Sequence, residues 1–273
     1  MEVGVYMVRK PAMAGKFYPV SPDAINKQIK EFEVVVKEKI NCLGVVSPHA
    51  GYIYSGAVAG AVYSNINIPE DVIIIGPNHT GLGEMVSLMA SGEWEMPTGR
   101  VKINNVLAND IISNSRYIKD DSAGHLHEHS LEVQIPFIQY FRRKFNIVPI
   151  TIMTLDYELC EDIGMAVAKA IKKINKSVLI VASTDMTHYE SQDSANLKDR
   201  KAIDQILKLD PKGLFETVIT KNISMCGIVP TTAMLIACNS LGANEAKLIK
   251  YMTSGDVSGD YDQVVGYAGI IIK

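Results

Sequence analysis

Three short runs of β-branched residues, CLGVVS, DVIIIGP and SVLIVAS, each break into a polar loop carrying a histidine: His49 in SPHAGY, His79 in GPNHTG and His188 in STDMTHY. Continuous apolar runs of about four to eight residues are what strands covered on both faces require. The stretches between them have helical spacing, and strands alternating with helices argue for an α/β fold with a largely parallel or mixed central sheet flanked by helices. In such sheets ligands bind beyond the carboxyl ends of the strands, where residues distant in sequence can meet. The pattern predicts that His49, His79 and His188 line one polar site.

The remaining elements fit the same grammar. SPDAINKQIKEFEVVVKEK has Ser21 as a helix cap, Pro22 at the first helical position and apolar residues at helical spacing. NIVPITIM reads as a strand, CEDIGMAVAKAIKKI as a helix and GYAGIII as a final strand, while MPTG within SGEWEMPTGRVKINN turns a hairpin. No repeat, low-complexity tract or linker divides the chain, so residues 1–273 are expected to form a single domain.

Charge and composition narrow the function classes. A formal charge of -3 without long runs of one sign gives no pull toward nucleic acid or anionic membranes. No apolar stretch approaches the roughly 18 residues of a membrane span, and the N-terminus lacks a signal-peptide core, so a cytoplasmic protein is expected. Cys42, Cys160, Cys226 and Cys238 form no C-x-x-C pair and read as reduced thiols.

Neutral imidazole is a ligand for zinc, copper and iron, and its second ring nitrogen needs a partner to fix the tautomer. Asp185, three residues before His188, is a candidate partner. Cys226 precedes a helix whose N-terminus would lower its thiol pKa and make it a ligand; a core cysteine at a turn is the other reading. HLHEHSLEVQIPFIQYF places His125, His127 and His129 on one side if extended, then enters a helix with Leu131, Ile135, Ile138 and Phe141 on its apolar face. His129, nearest the helix, is the strongest candidate of the three.

Other chemistries fit less well. Gly51 and Gly56 have P-loop spacing, but Ala57 and Val58 stand where lysine and a hydroxyl are required. GPNHTGLG offers backbone amides for an anion yet lacks G-x-G-x-x-G order. Ser183, Asp185 and His188 share a loop, but G-x-S-x-G is absent.

AGKFYP, SPHAGYIYSG, GPNHTG, WEMPTG, EHSLEVQIPF, STDMTHY, CGIVPT and SGDVSGDYDQVVGYAG, in this order, resemble the Memo family along nearly the whole chain. That family is similar in fold to class III extradiol dioxygenases, which hold non-haem iron(II) with two histidines and a carboxylate. The resemblance implies that His49 and His79 are metal ligands, with Cys226 where the dioxygenases have their carboxylate. It assigns Asp185 and His188 to an acid-base corner and His129 to another polar position of the pocket, leaving His125 and His127 as surface residues. Asp256 and Asp260 lie in a matching motif to which the resemblance assigns no role; holding a loop is one reading.

His2Cys ligation suits iron(II), copper or zinc, and the implied activity is oxygen-dependent redox chemistry on a small aromatic or peptide ligand. Two alternatives come with the family: an adaptor that uses the pocket to recognise phosphotyrosine peptides, and, from the family label AmmeMemoRadiSam system protein B, a partner of AMMECR-type and radical-SAM proteins in a modification pathway.

Overall fold

The computed structural model of the protein describes residues 7–273. The chain runs through β1 (Val8–Arg9), α1 (Pro22–Phe32), β2 (Gly44–Ser47), α2 (Tyr52–Ser64) and β3 (Asp71–Pro77). Short elements follow: β4 (Val86–Leu88), β5 (Glu93–Met96), β6 (Gly99–Ile103), α3 (Asn105–Ser113), β7 (Lys119–Asp120) and α4 (Gln134–Phe141). Next come β8 (Asn146–Ile152), α5 (Tyr157–Ile174), β9 (Val178–Ser183), β10 (His188–Glu190), α6 (Gln192–Leu207) and α7 (Pro211–Thr220). The last elements are α8 (Ile228–Ser240), β11 (Ala246–Thr253), α9 (Gly255–Ser258) and β12 (Val264–Ile272).

Every residue of β2, β3 and β9 is buried, as their unbroken apolar character demands. With β8 they pair in parallel in the order β8-β3-β9-β2, so that Ile73 faces Val148 on one side and Ile180 on the other. Beyond β2 the sheet turns antiparallel, β12 pairing with β2 and β11 with β12. At the other end β6 joins β8 in parallel and forms the expected hairpin with β5. The described sheet is therefore mixed and twelve-stranded, with helices flanking it. Among the described residues no helix is long and apolar enough to cross a membrane.

Ser21 caps α1 by accepting the Ala24 amide at 3.2 Å, and Ile25 and Ile29 form its buried stripe. The helix stops at Phe32 instead of continuing into VVVKEK. Three successive valines resist helix, Glu33 turns extended, and the Val34 amide donates to Ser64 Oγ at 3.0 Å. Phe32 fills the surface left open by Gly56 and Gly60 of α2, where a Cβ would come within 2.2 and 2.5 Å of it.

The histidine tract also departs from expectation. His125 ends a short 3-10 turn, so the tract is not extended, and its side chain is fully buried beside Trp94 instead of lying on the surface. His127 is exposed. The burial of His125 follows from Arg9, which is itself buried. Arg9 Nε donates to the His125 carbonyl at 2.9 Å, Nη2 to the Glu128 carbonyl at 2.8 Å and Nη1 to the Glu132 carboxylate, with the guanidinium 4.3 Å above the Trp94 ring. Glu132 also accepts the amides of Ala12 and Met13 and the Tyr18 hydroxyl. Residues 9–18 are thereby tied to the loop that leads into α4.

Replacing Glu132 with alanine strands the buried Arg9 charge, and the expected loss is about 3–5 kcal/mol of stability by urea denaturation; an unchanged midpoint would show the pair to be dispensable. Burial, and next the charge of Arg9, hold the His125 imidazole at a pKa of about 3 against 6.5 when free. The unfolded chain therefore takes the proton first as pH falls, so stability declines between pH about 6.5 and 3. A His125→Leu variant should show a shallower decline of Tm over that window.

Candidate metal centre

The parallel strands deliver their loops to one place. His49 follows β2, His79 follows β3, and the loop before α4 adds His129. These three imidazoles each offer a ligand atom within 4.8 Å of the others. Ring centroids stand 5.3 Å apart for His49 and His79, 5.4 Å for His49 and His129, and 4.6 Å for His79 and His129. Phe17 lies against His129 from the other side, at 4.6 Å.

The supporting hydrogen bonds decide which nitrogens carry protons. Ser183 Oγ has one hydrogen and gives it to the Ser130 carbonyl at 2.6 Å. It accepts from Gln134 Nε2 at 2.8 Å, so its contact with His49 Nδ1 at 3.0 Å requires the imidazole to be the donor. His49 Nε2 is then a lone-pair nitrogen. At His79, Nδ1 donates to Glu128 Oε1 at 3.0 Å, which makes Nε2 the lone-pair nitrogen of the neutral ring. Glu128 also accepts the amides of His79, His129 and Ser130. Burial raises the Glu128 pKa, but the His79 hydrogen bond, the nearby imidazoles and the Ser130 amide outweigh it and hold the carboxyl at about 2.

Electrostatics keep two of the imidazoles neutral. Burial, then His129, His79 and His188, push His49 well below its ordinary value, and burial brings His129 down to about 4. Neutral imidazoles bearing free lone pairs are what a transition ion requires, and the nitrogen and sulfur donors here suit iron, copper or zinc better than calcium or magnesium.

Cys226 Sγ lies 3.3 Å from His49 Nε2 and accepts the Asp185 amide at 3.3 Å. The sulfur reaches this position because Gly227 presses onto Thr184, where a Cβ would come within 2.4 Å. The helix that follows does not lower the thiol as expected: burial, and next the Asp185 charge, push Cys226 up to about 12. Asp185 does not orient His188 either. Its Oδ1 accepts the His49 amide at 2.7 Å, while His188 Nδ1 donates to the Ser224 carbonyl at 2.9 Å and the ring sits half-buried further out. Burial raises the Asp185 carboxyl to about 6.

Other sequence candidates resolve into structural roles. The amides of the GPNHTG loop are occupied internally, since Asn78 Oδ1 accepts those of Thr80 and Gly81. Ser183, committed to Ser130 and His49, forms no pair with His188. Asp256 accepts the Thr253 amide and Asp260 that of Asp262, so both hold their loop. The sequence does not point to Glu128, Ser130 and Gln134 as site residues, nor to Ser183 as the partner of His49. For Ser130, Gln134 and Ser183 the legible signal is a polar residue inside SLEVQIPF or at the end of an apolar strand, where a buried polar group needs a partner.

A mixed α/β sheet with three imidazoles gathered beyond its parallel strand ends defines an α/β protein with a candidate transition-metal centre. The Memo family profile, described as Memo-like protein, matches residues 9–271. The chain belongs to the Memo family. A MEMO1 family protein of Methanopyrus kandleri is 42% identical, over 98% of this chain and 99% of the relative. One of Methanothermobacter thermautotrophicus is 45% identical, over 96% of this chain and 99% of its own length. An uncharacterized protein from Escherichia coli K12, known from its crystal structure, is similar in fold, with a TM-score of 0.53 at 11% identity over 84% of this chain and 99% of that one.

Long-range 15N NMR should find His49 and His79 as Nδ1-protonated tautomers. Ser183→Ala removes the acceptor of His49 and the donor to Ser130, and should cost about 1–3 kcal/mol of stability while releasing the His49 tautomer; an unchanged His49 spectrum would refute the assignment.

Proposed function

We propose that this centre binds a redox-active metal, iron(II) or copper, with zinc as the alternative without redox chemistry, and that His49, His79 and Cys226 are its ligands. The observation that carries the reading is the approach of Cys226 Sγ to His49 Nε2, 3.3 Å, with the Nδ1 protons of both histidines tied to Ser183 and Glu128. Bound there, the ion would supply Lewis-acidic and oxygen-dependent redox chemistry toward a small aromatic or peptide ligand.

The chain's own groups divide the remaining work. Ser183 and Glu128 orient the ligating rings and raise their basicity. Cys226 must lose its proton to bind, so uptake releases a proton and strengthens with rising pH. His129, neutral because of its burial, stands in contact with both ligating imidazoles and can hold a proton beside the ion. His188, fixed through Nδ1 by Ser224, presents its other nitrogen for proton exchange at the outer edge, and Asp185 completes that corner while holding the His49 amide.

Protein purified anaerobically and reconstituted with iron(II), copper, zinc or cobalt(II) should retain a single ion per chain. His79→Ala and Cys226→Ser should lower metal affinity at least tenfold, and Glu128→Gln by about 10- to 100-fold through loss of the His79 anchor. Cobalt(II) in the wild type should give a thiolate charge-transfer band that Cys226→Ser abolishes. Retention lost in His129→Gln but not in Cys226→Ser would move the third ligand to His129. A chain that takes up none of these ions would overturn the metal reading.

A further inference from the structure

A cleft of about 390 Å³ opens beside the centre, between the loop after β8 and the turn joining α7 to α8. His79 and Cys226 form part of its lining, so it meets two of the proposed metal ligands directly. Met153, Leu155, Ile219 and Met225 supply much of the rest. No Asp, Glu, Lys or Arg lines it, in a chain where such residues make up 21%. Its polar groups besides the two ligands are Asn78 and Thr154.

The mouth carries the second observation. Leu155 is 56% exposed, Ile219 42% and Met153 36%, and the patch continues to Met85, whose carbonyl accepts the Met153 amide. Large apolar side chains clustered in water at the rim of a cavity mark a binding site. The cleft at Lys16, Phe17 and Tyr54 is a weaker candidate: none of the histidines lines it, and it touches the cluster only where the Phe17 ring meets His129.

We propose that the cleft between the β8 loop and the α7–α8 turn admits the ligand of the metal centre, and that this ligand is a small uncharged molecule with an apolar, ring-sized body whose polar end meets His79 and Cys226. The proposal rests on the metal reading above and narrows it. An anionic group lying along the apolar wall, away from the ion, would find no cationic side chain to pair with, which is unfavourable. The volume falls at the low end of the about 300–1,000 Å³ of small-molecule pockets. It suits one or two fused rings, and a phosphopeptide would find little room and no cationic side chain.

The test uses a matched pair of fluorescent probes, uncharged N-phenyl-1-naphthylamine and its sulfonated analogue 8-anilinonaphthalene-1-sulfonate, titrated into the full chain with and without bound metal. The uncharged probe should bind at least tenfold more tightly than the sulfonate. Leu155→Asp and Ile219→Asp, at half-exposed positions, should each weaken it at least tenfold. Leu155→Met should restore binding, and Leu197→Asp, on the exposed face of α6, should bind as the wild type does. Metal loading should shift the uncharged probe's affinity at least threefold, and metal content should be unchanged in the aspartate variants. Equal affinity for the two probes, or wild-type binding by both aspartate variants, overturns the proposal. Metal uptake without probe binding overturns it alone, whereas probe binding in a chain that never takes metal overturns the metal reading and leaves the cleft standing.

Discussion

A buried loop must find a partner for every polar group it carries, and between Glu128 and Gln134 only His129 is other than buried. Two carboxylates meet that demand from opposite ends. Glu128 accepts amides of its own loop and of His79, and so joins the strand-end histidines to the segment before α4. Glu132 accepts the amides of Ala12 and Met13 and pairs with Arg9, which in turn takes up the loop's own carbonyls. Because the site borrows its rigidity from this double anchorage, an interaction remote from the centre, that of Arg9 with Glu132, helps to fix where His129 stands.

The second constraint is electrostatic. Three imidazoles with centroids about 5 Å apart cannot all be charged in a buried place. Burial and mutual repulsion keep His49 and His129 neutral, while Glu128 remains ionised because His79 and the backbone amides solvate it. The Glu128 charge is thus spent behind the rings, on the side that sets the His79 tautomer. What faces the cleft is uncharged lone pairs, a thiol and aliphatic side chains, an environment that favours soft coordination and apolar company over ion pairing.

Much of this was legible in the sequence. The unbroken β-branched runs gave the parallel centre of the sheet, and position at a strand's carboxyl end marked His49 and His79 before any contact was known. Ser21 with Pro22 fixed where α1 begins, but its end depended on Phe32 packing onto two glycines of another helix, which no local pattern announces. His125 and His127 look alike in the tract HLHEH and differ because Arg9, more than a hundred residues earlier, seizes the carbonyl of one. Glu128 was hidden for a related reason: an acid among histidines reads as a solvated surface, and only the tertiary fold turns it into an inward anchor. The thiol of Cys226 was read from its helix, whereas burial and the neighbouring Asp185 govern it.

The last strand of the sheet, β12, fills the gap between β2 and β11, and Cys226 meets His49 across 177 positions of chain. On a ribosome the early histidines emerge long before their sulfur partner and before the strand that locks β2 in place. A half-made chain therefore offers only loose imidazoles to passing ions. On the proposed ligation, the full set of donors exists only once the sheet is complete.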